Sequence, residues 1–439
     1  MIKSLVNAFK VKDIRVRLYY TLMMVVLIRI GSNLPIPGID TELVSTELKR
    51  LFENSGGAFD FLSAVTGGSF EKVSVFALSI TPYITSSIIM QLLTIAIPKL
   101  EEMQKESEEG RKKIAEVTRY LTVVLALAES IGMAVSFKNS NWLGTENVGF
   151  KVASIILTLT AGSAVLMWIG ERITEKGVGN GISIVLLVNI VSRIPNDMGN
   201  LFSQFVTSES NPARAILAAC VIIFIIVAMV VYCVILQDGE RRIPAQYSSK
   251  LQGRRSYGGQ QTNIPLKVNT AGVMPIIFAS SLMQTPVVVY TFIKGGSTPK
   301  ALRYLSQQYW INPDNWKYSL GLIVYLLLVV FFAYFYTSIS FNPNELADNM
   351  KKSGGFIPGV RPGKPTIDYL NNILKYIIFI GALALAVVAV VPMILSGVFK
   401  ANISFFGTSI IIIVGVVLET IKKVESQMVV RNYQGFLDD

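Results

Sequence analysis

The chain has 439 residues, of which 51% are hydrophobic and only 16% charged. That balance excludes an ordinary soluble domain, where about a quarter of residues carry charge. Histidine is absent and Lys and Arg outnumber Asp and Glu by 40 to 29, which excludes Ser–His catalysis, a His-Glu-x-x-His zinc site and a histidine proton relay.

A helix needs about 20 apolar residues to cross the hydrocarbon core. Ten runs approach that length, near 18–36, 73–97, 117–137, 151–170, 180–196, 213–236, 271–293, 317–338, 371–395 and 402–420. Helices satisfy their own backbone in lipid, so the chain reads as an all-α polytopic membrane protein of ten transmembrane helices.

Residues 1–17 carry Lys3, Lys10, Lys12, Arg15 and Arg17 against Asp13 and face the cytoplasm by the positive-inside rule. Pro35-Ile36-Pro37-Gly38 follows the first run where a signal peptide would place small cleavage-site residues, so that run is read as a retained helix. Residues 37–72 form an external connection. Within it, residues 59–70 are apolar but too short to cross; they fit a re-entrant helix ending at Gly67-Gly68, or a helix lying on the membrane. Residues 99–116 read as a solvated hairpin connection. Glycines 177, 179 and 181 open the fifth run and permit a tight turn and close helix approach.

The polar stretch 197–212 is an external hinge between a first five-helix half, 18–196, and a second, 213–420. The second half contains cytoplasmic loops at 237–268, with Arg241, Arg242, Arg254 and Arg255, and at 339–370, with Lys351, Lys352, Arg361 and Lys364. Ten crossings return the tail, 421–439, to the cytoplasm. Cys220 and Cys233 lie inside the sixth run and read as packing residues. Trp142, Trp310 and Trp316 read as interfacial anchors in or near external loops.

Two runs repeat each other. Residues 80–91, ITPYITSSIIMQ, align without a gap to residues 273–284, VMPIIFASSLMQ. The copies lie in runs two and seven, an odd offset, so they cross in opposite directions. Inverted repeats place the working site at their interface. Pro82 and Pro275 each remove a helical hydrogen bond and are expected to kink their helices. Ile84 and Ile277 follow two residues later. They are either ordinary core residues or an apolar constriction that closes by dewetting.

Charge inside the bilayer costs about 2.5–3.5 kcal/mol on insertion scales. Arg29 can snorkel outward, whereas Glu129 lies deeper in the third run, either paired with a polar neighbour or serving a moving helix interface. No aspartate lies well inside an apolar run, which argues against a paired-aspartate protease. The stretch 359–365, GVRPGKP, is one residue short of a phosphate loop and has proline in place of the magnesium-binding Ser/Thr. No enzyme activity, metal or cofactor is therefore expected, and energy must come from a partner or an ion gradient. A secondary transporter for a small solute is the rival reading; it needs a polar midplane and a coupling carboxylate, for which only Glu129 is available. The basic loops suit a large acidic or nucleic-acid-bearing partner.

Several stretches carry a resemblance that spans nearly the whole chain: Pro82-Tyr83-Ile84 with residues 88–91, IIMQ; residues 179–183, GNGIS; residues 240–244, ERRIP; Gly253-Arg254-Arg255; residues 265–269, PLKVN; Phe341-Asn342-Pro343; and residues 358–363, PGVRPG. In these the chain resembles the SecY family, the channel subunits of the bacterial Sec protein translocase. The resemblance implies two pseudo-symmetric inverted halves around a central pore in the bacterial plasma membrane. Unfolded secretory polypeptides would pass across and apolar segments would leave sideways into membrane lipid. By similarity the pore ring is Ile80, Ile84, Ile182, Leu186, Ile277 and Ile412. The plug is about residues 60–69, including Asp60, Phe61, Leu62, Ser63, Ala64 and Val65. The lateral gate, between helices two and three and helices seven and eight, includes Thr85, Gln91, Glu129 and Thr285; the family often has an amide where Glu129 stands. Arg241, Arg242, Arg254, Arg255 and Arg361 would dock the SecA motor ATPase or a ribosome. SecE, SecG and signal sequences are further implied partners.

Overall fold

The computed structural model describes residues 9–54, 63, 65–106, 108–140, 142–144, 147–207, 212–247, 250–252, 255–257, 261–294, 299, 301–311, 316–399 and 408–434. Helices dominate. They are α1 (Lys12–Asn33), α2 (Thr41–Asn54), α3 (Thr81–Ala96), α4 (Pro98–Glu106), α5 (Glu108–Asn139), α6 (Val148–Lys176) and α7 (Gly181–Phe202). After a π-helical turn at Ser203–Thr207 come α8 (Pro212–Asp238), α9 (Met274–Lys294), α10 (Ser319–Ser340), α11 (Pro343–Lys352), α12 (Lys364–Phe399) and α13 (Thr408–Gln434).

Each apolar run of the sequence coincides with one of the long helices α1, α3, α5 to α10, α12 and α13. By length and composition alone, five described stretches qualify as spans: Glu108–Asn139, Val148–Lys176, Ala213–Asp238, Ser319–Lys352 and Lys364–Leu395. A sixth qualifies if α3 and α4, bent by 108°, count together. Helices α1, α7 and α13 mix charge into their runs, with Arg17 and Arg29, Arg193 and Asp197, and Glu419 with Lys422.

The prolines act differently from expectation. Pro82 and Pro275 are the second residues of α3 and α9, not interior kinks. The missing N–H falls among the first four of a helix, which have no intrahelical partner, and the fixed φ suits a helix start. The second run is thus helical only from Thr81, and residues 75–80 before it form turns. The backbone bonds Ile84 N–H to Ile80 O, 3.1 Å, and Ile277 N–H to Val273 O, 3.3 Å, recur at equivalent positions of the repeat.

Neighbour relations recur as well. α3 packs on α5, α5 on α6 and α6 on α7, with α1 on α6 and α7. In the same pattern α9 packs on α10, α10 on α12 and α12 on α13, with α8 on α12 and α13. The two sets meet where α7 touches α13 and α5 touches α9. Gly181 lets α6 and α7 close up, because a Cβ there would stand 1.8 Å from the Gly170 carbonyl oxygen. Gly181→Ala is expected to cost about 1–3 kcal/mol of stability by overpacking. The check is the thermal midpoint in detergent; an unchanged midpoint would mean that α6 and α7 separate without cost.

Three further expectations are corrected. The chain is not all-α: β1 (Glu240–Tyr247) pairs antiparallel with β4 (Gln261–Lys267), and β5 (Gly355–Phe356) adds to the other edge of β1. A short hairpin of β2 (Lys250–Gln252) and β3 (Arg255–Tyr257) lies within the same loop. Residues 99–116 are mostly helical, shared between α4 and α5. Trp310 is no interfacial anchor; it is fully buried, donates to Tyr304 O at 2.7 Å and packs its ring on Tyr325.

Candidate functional site

The six residues expected to form a ring come from four helices. Ile80 caps the start of α3 and Ile84 lies one turn on; Ile182 and Leu186 are likewise four apart in the first two turns of α7. Spacing of four puts each pair on one helix face. Ile277 is the fourth residue of α9 and Ile412 the fifth of α13. All six belong to a single apolar cluster, which also holds Val65. Ile80, Leu186, Ile277 and Ile412 are buried, while Ile84 and Ile182 are half-buried. Gly170 makes room: a Cβ there would meet Ile182 Cγ1 at 3.3 Å and Ile80 Cδ1 at 3.7 Å. The six side chains are aliphatic, so they offer a passing chain no preferred hydrogen bond.

Of the expected plug, Asp60, Phe61, Leu62 and Ala64 lie outside the described residues, and Ser63 and Val65 lie inside. A short helical stretch reaches Thr66 and stops at Gly67 and Gly68, with φ of 64° and 77°. These left-handed values favour glycine. The segment that follows is fastened to α7. Asn189 Nδ2 donates to Val65 O at 3.1 Å and to Ser79 Oγ at 2.9 Å. Ser192 Oγ donates to Asn189 O at 2.6 Å and lies 3.4 Å from Gly67 O. Arg193 pairs with Glu71 and contacts Ser63 Oγ, with Asp197 at 3.8 Å on its other side. Sequence reasoning missed this group. Its available signal was the stripe 182, 186, 189, 193 on α7, apolar for two positions and polar for the next two.

The expected gate residues are not all brought together. Thr85 and Thr285 each donate within their own helix, to Thr81 O at 3.1 Å and Ser281 O at 2.7 Å. Glu129 is half-buried on α5, next to Ser130, whose hydroxyl lies 3.0 Å from Thr160 Oγ1. Only Gln91 makes a described hydrogen bond across the seam: its Oε1 accepts from Tyr336 Oη of α10 at 3.0 Å. Tyr336, buried among aromatic rings, was not singled out because the eighth run is apolar throughout.

The basic loops form one platform. β5 pairs with the end of β1 at Gln246–Phe356 and Tyr247–Gly355. Beneath the strands Ile243, Ala245, Leu266, Met350, Ile357 and Leu370 share an apolar cluster. Arg241, Arg242 and Arg361 are exposed, and Arg242 pairs with Glu240 at 2.7 Å. Arg254 lies outside the described residues, and Arg255 lies in β3.

Comparison with known proteins bears on the whole chain. The SecY family model matches residues 74–421. Protein translocase subunit SecY of Corynebacterium glutamicum is 40% identical, covering 99% of this chain and 99% of that protein. The subunit of the same name from Streptomyces galbus is 42% identical over the full length of both. Among solved structures, a protein-conducting channel superposes with a TM-score of 0.61 at 18% identity, covering 95% of this chain and 93% of the other. Sec61 in a canine ribosome–channel complex gives 0.62 at 17%, with the same coverage. These two share the fold. The chain belongs to the SecY family of protein translocase subunits.

Proposed function

We propose that this membrane channel conducts unfolded secretory polypeptide through the aliphatic cluster of Ile80, Ile84, Ile182, Leu186, Ile277 and Ile412. The observation that carries the reading is that six aliphatic side chains from four helices converge, with Val65 packed among them. An aliphatic collar seals by excluding water and yields to any side chain, whereas a solute transporter needs polar groups at the same place. The transporter reading is therefore not favoured.

In this reading ten helices cross the plasma membrane as two inverted five-helix halves, with both termini cytoplasmic. The recurrent packing of α1 to α7 in α8 to α13 supports it. Residues 60–69 form the plug, and the gate opens between α3 and α5 on one side and α9 and α10 on the other, releasing apolar segments into lipid. Arg241, Arg242, Arg254, Arg255 and Arg361 dock the SecA motor or a ribosome, a partner present in the canine channel complex. SecE and SecG complete the membrane complex. Signal sequences shift a balance between closed and open states.

Disulfide crosslinking tests the route. In a Cys220→Ser, Cys233→Ser background, a cysteine at Ile84 is expected to crosslink to a cysteine in a stalled secretory chain, dependent on both motor and signal. No crosslink at Ile84, Ile182 or Ile277 with the chain demonstrably engaged would move the path elsewhere.

A further inference from the structure

α13 starts at the aliphatic cluster and ends beside the root of the platform. Lys422 and Lys423 follow Ile412 on it by about three turns, or about 15 Å along the axis. Successive helical residues point about 100° apart, so the two lysines reach different neighbours. Lys422 Nζ pairs with Asp238 Oδ1 at 2.6 Å, and Asp238 is the last residue of α8, just before β1. Lys423 Nζ donates to Gly179 O at 3.1 Å, in the turn between α6 and α7. One lysine thus holds the helix that feeds the platform. The other holds the turn that starts α7, the helix of Ile182 and Leu186. Asp238 stands at a helix carboxyl end, where the backbone already carries partial negative charge, and a cation there offsets both. The turn is crowded. A Cβ on Gly179, at φ 88°, would stand 3.0 Å from Thr420 Oγ1 and 3.1 Å from Ile184 Cδ1. Thr21 Oγ1 of α1 accepts from Val178 N–H at 3.1 Å, and Thr174 Oγ1 of α6 accepts from Gly181 N–H at 2.9 Å. Asn180 Oδ1 accepts from Ile182 N–H at 3.2 Å. Ile14 of α1, Val178 of the turn and Val424 of α13 are buried in one small apolar cluster.

We infer that Lys422 and Lys423 are positioning residues that clasp the platform end of α8 to the α6–α7 turn, and that this clasp carries a docked partner's push on the platform to Ile182 and Ile412. The inference rests on the docking and conduit readings above and names how the two sites are coupled. The turn is held by α1, α6, α13 and its own cap, so it has little freedom to absorb a displacement of α13 and passes it to the start of α7. The Asp238–Lys422 pair is about half exposed, and such pairs contribute little to stability. Breaking it therefore spares the fold and acts on transmission. Neither lysine belongs to the aliphatic cluster, and neither lies in the two basic loops.

The experiment uses the full chain with its partner subunits in membrane vesicles, supplied with the ATPase motor and a secretory precursor. Three quantities are read at matched channel levels: motor bound to the vesicles, precursor exported, and ATP hydrolysed per precursor. Lys422→Glu sets like charges face to face, and Lys423→Met keeps the stem but removes the donor. Each is expected to lower export about fivefold and to raise ATP hydrolysed per precursor to a similar extent. Motor binding should change by less than about twofold, since both residues lie outside the loops. Lys423→Gln, whose amide can still donate, should export near the parent level. Lys422→Glu combined with Asp238→Lys restores an opposite-charge pair and should recover most of the export. Glu419→Gln, an exposed charge about one turn earlier on α13, is the control. If Lys423→Met fails to accumulate, Lys422→Glu is read in its place. Parent-level export by both variants would overturn the clasp. So would a parallel fall in motor binding, since the lysines would then belong to the docking surface. A charge swap that recovers nothing would overturn the pairing of Lys422 with Asp238 as the link. Failure of the docking or conduit reading shows separately in the parent chain, as absent motor binding or a missing crosslink at Ile84.

Discussion

Ile84→Asn or Ile277→Asn is expected to let the channel export precursors whose signals are too weak to open the parent. Burying an aliphatic side chain of this size contributes about 1.5–3 kcal/mol. An amide in its place is also left without a partner at a cost of about 1–3 kcal/mol. Both effects act on the packed arrangement, where Ile277 is only 4% exposed. An open state that admits water leaves the amide hydrated. If closed and open differ by a few kcal/mol, a relative shift of about 2 kcal/mol raises the open fraction about thirtyfold. Ile277 should have the larger effect, since Ile84 is only half-buried. The measurement is export of a signal-impaired precursor at matched channel levels, with ion conductance of reconstituted channels as the second readout. Tight rejection and low conductance in both variants would show that these isoleucines are merely core.

Arg361→Glu is expected to abolish motor-driven export while the protein still accumulates in the membrane. The turn that carries Arg361 is held from below: Val360 packs into the platform cluster, its N–H donates to Ile357 O at 3.0 Å, and Thr366 Oγ1 donates to Arg361 O at 2.8 Å. The side chain itself is exposed. Reversing its charge should therefore spare the fold and act on whatever docks there. Losing one partner of a charged interface contact costs about 2–5 kcal/mol, and reversal adds repulsion, so export should fall by at least about thirtyfold. ATP-dependent export into membrane vesicles is the check. Normal export at normal accumulation would remove Arg361 from the docking surface.

The long helices and the clustering of six aliphatic side chains were legible because both rest on apolar patterning. Ten runs predicted ten helices, and the gapless repeat singled out Ile84 and Ile277, which share a cluster in the structure. What patterning does not encode was missed. A proline two residues into a helix is locally indistinguishable from one that kinks it until the preceding turns are seen, and Val73 to Ile80 are apolar enough to look helical. α2 escaped because, among its described side chains, only Val44 and Leu48 are deeply buried, too few to stand out in a charged stretch. The polar contacts of α7 escaped because Asn189 and Arg193 are isolated polar residues in a largely apolar run, and their partners lie over a hundred positions earlier in the chain. Tyr336 was hidden among aromatic residues of α10, and only its hydrogen bond to Gln91 distinguishes it.

β5 pairs with β1 and the two basic loops share one apolar cluster, so displacing one loop pulls on the other. One loop continues into α8 on one side and, through residues 268–273, into α9 on the other; the second is continuous with α10 and α12. A partner that grips either loop therefore loads all four helices as one lever. Tyr336, which meets Gln91 of α3, stands one turn before the end of α10, where the second loop begins. In the proposed reading, work done by a docked partner thus has a short path to the gate.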